Sequence, residues 1–367
     1  MKPAAAILCL NLMMLLTPMW VTGAEAAPVK KLIEFGWDEP GPAFMRQHVA
    51  EMEATPFVGC VFHIDAVDAQ GNPLPFTWQC WGKRAFTQAE VQHSLDDLKA
   101  TPFKRFTDNF VRFNTAPADI DWFDDYTAVV TNAKLAASFA RDGKCAGILF
   151  DIEQYNAQLF NYAKQRDAKS KSWNEYAAQA RKRGREVMDA FQAGYPDVTV
   201  FLTWGYSLPW RQARNDPSKL EGAPYGLLAP FLDGMLEAAR GRTRLIDGYE
   251  SSYGFKDTSK FATSYDTMSK GVLPIVADAE KFKAHFRFAF GVWMDNGSNR
   301  QKWNAEDVSK NFYTPDAFEN TVNAALDRSD EYVWIYTEQP KWWTAEGRAE
   351  KVPMEYDRAL REARVGR

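Results

Sequence analysis

The chain is poor in the residues that supply metal and nucleotide sites. Its four histidines, His48, His63, His93 and His285, stand singly among 367 residues, and no CxxC or HExxH spacing occurs. A dedicated zinc site is therefore not expected, and no cofactor is. No glycine-rich phosphate turn follows the first apolar strand; Gly36-Trp37-Asp38-Glu39 stands there instead, and its acids would repel phosphate. Positive charge is not in excess either. With 44 Lys and Arg against 48 Asp and Glu, the net charge of −4 argues against nucleic acid or an anionic membrane surface as main partner. There is no internal repeat, no linker and no break in composition.

Long apolar runs are lacking except at the start, where Lys2 precedes a run from Ala4 to Val21 and then Ala24-Glu25-Ala26. That order reads as a secretory signal over residues 1–26, cleaved after Ala26, with residues 27–367 as one exported domain, secreted or periplasmic. Pro3, Asn11 and Pro18 interrupt the run and no basic stop-transfer cluster follows, so no membrane association is expected after cleavage. Of the four cysteines, Cys9 leaves with the signal. Cys60, Cys80 and Cys145 then allow at most one bridge and one free thiol, and Cys60 and Cys145 lie in apolar runs as buried small hydrophobes. Self-association is left open.

What the chain does have is alternation of apolar strand-like runs with helical patterns. Strands are expected at Leu32 to Phe35, Val58 to Ile64, Phe106 to Phe113, a fourth ending at Asp151, Val198 to Trp204, Arg244 to Tyr249, Phe286 to Trp293 and Tyr332 to Tyr336. Thr87-Gln88-Ala89-Glu90 and Ser172-Trp173-Asn174-Glu175 have capping-box form, and Thr314-Pro315 opens a further helix. A helix is also expected from Trp122 to Phe139. The basic runs Lys164 to Lys171 and Arg181 to Arg185 read as solvated faces. The repeated strand and helix units fit a single (β/α)8 TIM barrel with enlarged loops; an open doubly wound sheet is the alternative.

The fourth strand organises the functional reading. Gly147-Ile148-Leu149-Phe150 is an uninterrupted apolar run that ends on Asp151-Ile152-Glu153, followed by Gln154-Tyr155. Period-two alternation puts Asp151 and Glu153 on one side of the strand, close enough to repel and to keep a proton near neutrality. A helix cap or an arginine partner is the structural alternative for the pair. Strand ends of a barrel carry its active site, and these ends are acidic and aromatic: Asp38 and Glu39, Tyr155, Trp204 and Tyr206, Tyr249 and Glu250, Trp293 and Asp295, Glu338 and Trp342. Flat rings stack on sugar faces while carboxylates accept hydroxyl hydrogens, so the expected partner is a carbohydrate. Paired carboxyls flanking a glycosidic bond are also the minimal machinery of its hydrolysis. Trp78 and Trp81 could form a sugar platform or hold a long loop down. Asp295-Asn296-Gly297-Ser298-Asn299 resembles a calcium-type acidic turn without the distal glutamate and is read as a turn.

The fourth-strand residues resemble the D-x-E strand of secreted chitinase-like glycoside hydrolases of the barrel type, although Ala146 and Ile148 stand where that family has further acids. The resemblance implies Glu153 as general acid, Asp151 as the residue that steers the substrate, Tyr249 as the strand-six tyrosine and a tryptophan near Trp334 or Trp342. A second resemblance is to barrel hydrolases with a nucleophile from strand four and an acid from strand six, here Asp151 or Glu153 with Glu250. The catalytic candidates are therefore Glu153, Glu250 and Asp151, with Glu153 expected to protonate the leaving oxygen and Glu250 or Asp151 to act as nucleophile or base. A carboxyl separation of about 5 Å would favour retention and roughly 6.5–9.5 Å inversion. The rivals are a non-catalytic carbohydrate-binding barrel and a metal-dependent hydrolase using Asp38, Asp151 and Glu153.

Overall fold

The computed structural model describes residues 29–36, 39–297, 302–343 and 351–365. The proposed leader therefore lies outside the described residues. Each expected apolar run forms a strand: β1 (Lys31–Gly36), β2 (Gly59–Phe62), β3 (Phe110–Asn114), β4 (Gly147–Asp151), β5 (Thr199–Leu202), β6 (Arg244–Asp247) and β8 (Tyr332–Thr337). The seventh, β7, comes in two pieces, Phe286–Phe288 and Phe290–Trp293. Every pairing among them is parallel. The first half of β7 pairs with β6 and the second with β8, while β8 pairs with β1, so the ring closes through the bend at Ala289. Ala289 N donates to Asp247 O at 2.8 Å and holds that bend to β6. The fold is a (β/α)8 barrel.

Strand periodicity sorts the core into two layers. Ile33, Phe35, Val61, Phe110, Leu149, Phe201, Ile246, Tyr332 and Trp334 fill the barrel, as the interior of this fold requires. Their neighbours Leu32, Phe62, Val111, Ile148, Phe150 and Val200 pack outward against the helices. Arg112 shares the inward face of Phe110, and Asp151 that of Leu149.

The helices that matter for position are α1 (Pro42–Glu53), α2 (Gln88–Ala100), α3 (Thr127–Asp142), α4 (Trp173–Gly194), α5 (Leu228–Ala238), α6 (Ser259–Asp266), α7 (Ala279–His285), α8 (Pro315–Arg328) and α9 (Met354–Val365). Both expected capping boxes form, at Thr87 with Glu90 and at Ser172 with Glu175, and Thr314 caps α8 ahead of Pro315. The helix expected from Trp122 starts five residues later, because Trp122 is drawn into the core and its indole donates to Leu159 O at 2.8 Å. The basic run on α4 is not simply solvated. Arg183 is buried with its guanidinium over Tyr126, while Arg181 and Arg185 pair with Glu237 on α5. The thiols of Cys60, Cys80 and Cys145 are free and buried, with no bridge between them. Among the described residues no helix is long and apolar enough to cross a membrane.

Candidate active site

The site is built on neighbouring strands. In the register of β3 and β4, Arg112 lies beside Leu149 and Asn114 beside Asp151. Arg112 Nη2 donates to Asp151 Oδ2 at 2.7 Å, and its Nη1 reaches both Glu39 oxygens at 3.0 Å. The Tyr155 hydroxyl donates to the same Asp151 oxygen at 2.9 Å, and Glu153 N donates to Asp151 Oδ1 at 3.1 Å. Burial works against the Arg112 charge, but the carboxylates of Glu39 and Asp151 outweigh it, so the guanidinium stays ionised. Asp151 is thus fully engaged, by an arginine and by the amide of the residue it positions.

Glu250 arrives from β6 by an unusual turn. Gly248 O accepts from the Trp334 indole at 2.7 Å, and Tyr249 then adopts a left-handed backbone, φ 42 and ψ 57. For a residue with a bulky side chain this conformation is costly and marks a constrained position. Tyr249 N donates to Asp247 Oδ1 at 2.9 Å and Glu250 N to Thr203 O at 3.1 Å, which hold the turn. The consequence is that the Tyr249 ring goes outward, onto Phe290 and Phe255, while Glu250 comes to lie against the end of β4.

There Glu153 and Glu250 hydrogen-bond to each other. Burial, followed by the charge of Asp151, pushes the Glu153 carboxyl up to about 7, with the bonds from Glu250 and Tyr155 working in the opposite direction. Burial, then the charges of Glu153 and Asp151, hold Glu250 well above the ordinary carboxylate range. Glu250 Oε2 is buried with no hydrogen-bond partner. Two carboxyls in contact cannot both ionise at neutral pH, so the pair holds one proton. The Tyr155 hydroxyl favours the ionised form of Glu153 and has no counterpart beside Glu250.

Aromatic rings make the floor. Tyr253 stacks on Tyr336 at 5.2 Å between centroids and lies 5.8 Å from Trp293, which lies 5.6 Å from Tyr336. Beside them Trp78 packs 5.2 Å from Tyr155 and 5.5 Å from the Arg112 guanidinium. A cleft of about 520 Å³ opens from Arg112 and Glu39 past Trp78 towards His63 and Asp65. That volume is in the range of about 300–1,000 Å³ that small ligands occupy.

Of the sequence candidates, Glu153, Glu250, Asp151, Glu39 and Tyr155 converge here, Trp293 lies in the floor and Glu338 is exposed near Tyr336 on the rim. Trp204 is half-buried against Tyr225, a ring whose hydroxyl accepts from Gln154 N, and its own indole N–H is buried without a partner. Asp38 lies outside the described residues. Four others are placed elsewhere. Tyr206 is buried behind the barrel wall, where its hydroxyl donates to Asp233 and its ring packs on Phe282 and Phe286. Tyr249 is turned outward by its left-handed backbone. Trp342 packs edge-on to Phe57, 4.9 Å between centroids, in the core outside the barrel. Asp295 is spent on structure: it accepts from the Trp293 indole and from the amides of Glu338 and Gln339, tying β7 to β8. Its carboxylate is accordingly a brace between loops, and the calcium-type turn loses its first ligand. Asp151, likewise, is an ion-pair partner that orients Glu153. Trp81 is fully buried, and Trp78 alone of that pair reaches the cleft.

Sequence reasoning missed Arg112, Tyr253 and Tyr336. The signal for Arg112 was an ionised side chain in the middle of the apolar run Phe110-Val111-Arg112-Phe113, two positions from Phe110 and hence on the inward face. Tyr336 carried the same signal on β8, two residues after Trp334.

The sequence matches no protein-family model and no curated protein. Solved structures similar in fold include a trimodular GH5_4 subfamily endoglucanase, at TM-score 0.50 and 8% identity over 93% of this chain and 61% of that one. The full-length trimodular endo-β-1,4-glucanase B of Bacillus halodurans aligns at TM-score 0.49 and 9% identity over 93% of this chain and 60% of that one. An endocellulase from Pyrococcus horikoshii aligns at 0.47 and 10% over 94% of each. The chain spans less than two thirds of the first of these, and at such identity the first match speaks for the barrel architecture alone.

Proposed function

We propose that the protein is an exported glycoside hydrolase that works through Glu153 and Glu250. The observation that carries this reading is the direct contact of two half-buried carboxyls at the carboxyl end of a barrel, both pushed above the ordinary carboxylate range by burial and by the charge of neighbouring carboxylates. In this reading Glu250 keeps the shared proton and serves as general acid toward the leaving oxygen. Glu153, with its charge favoured by the Tyr155 hydroxyl, serves as nucleophile. This allocation follows the strand-four nucleophile and strand-six acid pattern and reverses the one expected from the D-x-E resemblance. Carboxyls in mutual contact leave no room for an intervening water beside the sugar, which supports retention. Asp151 and Arg112 act as positioning residues. Asp151 is bonded to Arg112, Tyr155 and the Glu153 amide, and assay in chelator separates this reading from the metal-dependent rival, which full retention of activity removes. Similarity in fold to endoglucanases is in keeping with a polysaccharide or oligosaccharide substrate.

The test is to assay the mature chain on a panel of polysaccharides by reducing-end release, with Glu153→Gln and Glu250→Gln alongside. Either substitution should lower kcat by at least about a hundredfold, the lower range for a general acid–base group. A protein that binds sugars and releases no reducing ends is the non-catalytic barrel instead. Export with cleavage after Ala26 is tested by N-terminal sequencing of protein recovered outside the cytoplasm.

A further inference from the structure

Resting on the hydrolase reading, we infer that the cleft beside Arg112 is a sugar subsite built for a neutral ring, with Trp78 as its stacking surface and Glu39 as its hydroxyl partner. Trp78, 38% exposed, is the only aromatic among the exposed large apolar side chains of the described residues. It lines the cleft with Arg112 and Glu39 and is in contact with Tyr155, whose hydroxyl touches Asp151 and Glu153. A ring seated on Trp78 would therefore be adjacent to the bond cleaved.

The electrostatics select the kind of ring. Both Nη groups of the buried Arg112 are already bonded, to Glu39 and to Asp151 and Tyr155, and its Nε is buried without a partner. No free guanidinium edge is left to receive a carboxylate. Glu39, Asp65 and Asp151 would repel a uronic acid; they outnumber the cations Arg112 and His63, both already paired, Arg112 with Glu39 and Asp151 and His63 with Asp65 at 3.1 Å. The Glu39 carboxylate, by contrast, has acceptor capacity beyond the bonds from Arg112 and suits hydroxyl donors. The antiparallel pair Ala66–Val67 and Pro73–Leu74 contributes to the wall of the cleft.

Binding is measured by calorimetry on Glu250→Gln with neutral tetrasaccharides of glucose, mannose, xylose and galactose and with tetragalacturonate. At least one neutral sugar should bind, tetragalacturonate should not, and adding Trp78→Ala should weaken the neutral ligand about tenfold or more with an unchanged melting temperature. The inference is overturned if tetragalacturonate binds as well as the neutral sugars, if none of the neutral sugars binds, or if Trp78→Ala leaves affinity unchanged. A chain that cleaves a glycan yet shows one of these results retains the hydrolase reading and loses the subsite; a chain that neither cleaves nor binds any glycan loses both.

Discussion

Asp151 is fully buried and bonded to Arg112, Tyr155 and the Glu153 amide, so its chemistry is exercised through Glu153. Its charge is the second cause of the raised Glu153 carboxyl, after burial. In the free enzyme Glu153 must lose its proton before it can attack, and kcat/KM should therefore fall on the acid side with a limb near pH 7. Asp151→Asn removes the neighbouring negative charge, so that limb should move to lower pH while turnover persists at reduced rate. Abolished turnover, or a limb that stays in place, would instead make Asp151 a direct participant. Arg112 is the other half of this arrangement. Arg112→Met would leave two buried carboxylates without their cation, and unpairing buried charge costs about 3–5 kcal/mol. A large drop in the denaturation midpoint at neutral pH is expected, and full retention of stability would mean that Glu39 and Asp151 find other partners.

At the scale of elements, the closest approach is between the two helices that follow β4 and β5. A Cβ on Gly184 of α4 would lie 1.9 Å from Phe231 O on α5, and one on Gly234 of α5 would lie 1.8 Å from Arg181 O on α4. Backbone cannot yield as a flexible side chain can, so Gly184→Ala or Gly234→Ala must push the helices apart. Each should destabilise by about 1–3 kcal/mol, the usual cost of overpacking, although alanine is otherwise the better helix former. Denaturant midpoints of the single variants check this, and a stabilised variant would refute the contact. Elements were also where the sequence was most readable. Apolar runs, two capping boxes and a Thr-Pro start placed the eight barrel strands and three helix starts, because those signals are local, while the short pair Ala66–Val67 and Pro73–Leu74 went unread. Features set by distant partners were not readable: the division of β7 at Ala289 depends on which strand pairs with each half. The site divided in the same way. Strand parity places Glu153 with Asp151, but Tyr249 and Glu250 are both expected at the site, and the left-handed turn that sends them apart has no signature in Gly248-Tyr249-Glu250.

For the molecule as a whole, the raised acids set the direction of its pH dependence. Glu34, buried between β1 and its outer neighbours, is pushed up to about 8, chiefly by burial with the Lys341 charge opposing. Glu153 stands at about 7, and Asp247, buried under the β6 turn, at about 6. Each folded-state value lies above the unfolded one, so each contributes stability that is fully present below about pH 4 and is lost as pH rises through 6, 7 and 8. The raised values of Lys31 and His63 act with the same sign. Acids held low by hydrogen bonds, such as Glu53, Glu90 and Asp124, have delivered their contribution by about pH 5 and do not offset this loss. The melting temperature should therefore fall between pH 5 and pH 9, across the interval in which ionised Glu153 makes the site competent. Glu34→Gln separates the two effects, since Glu34 is outside the site. It should stabilise the protein on the order of 1–3 kcal/mol at pH 9 and give no gain at pH 5, with the acid limb of kcat/KM unmoved. Thermal melts of both proteins across this range decide the matter: a native melting temperature that is level or rising from pH 5 to pH 9 would mean these carboxyls are ionised in the fold without penalty.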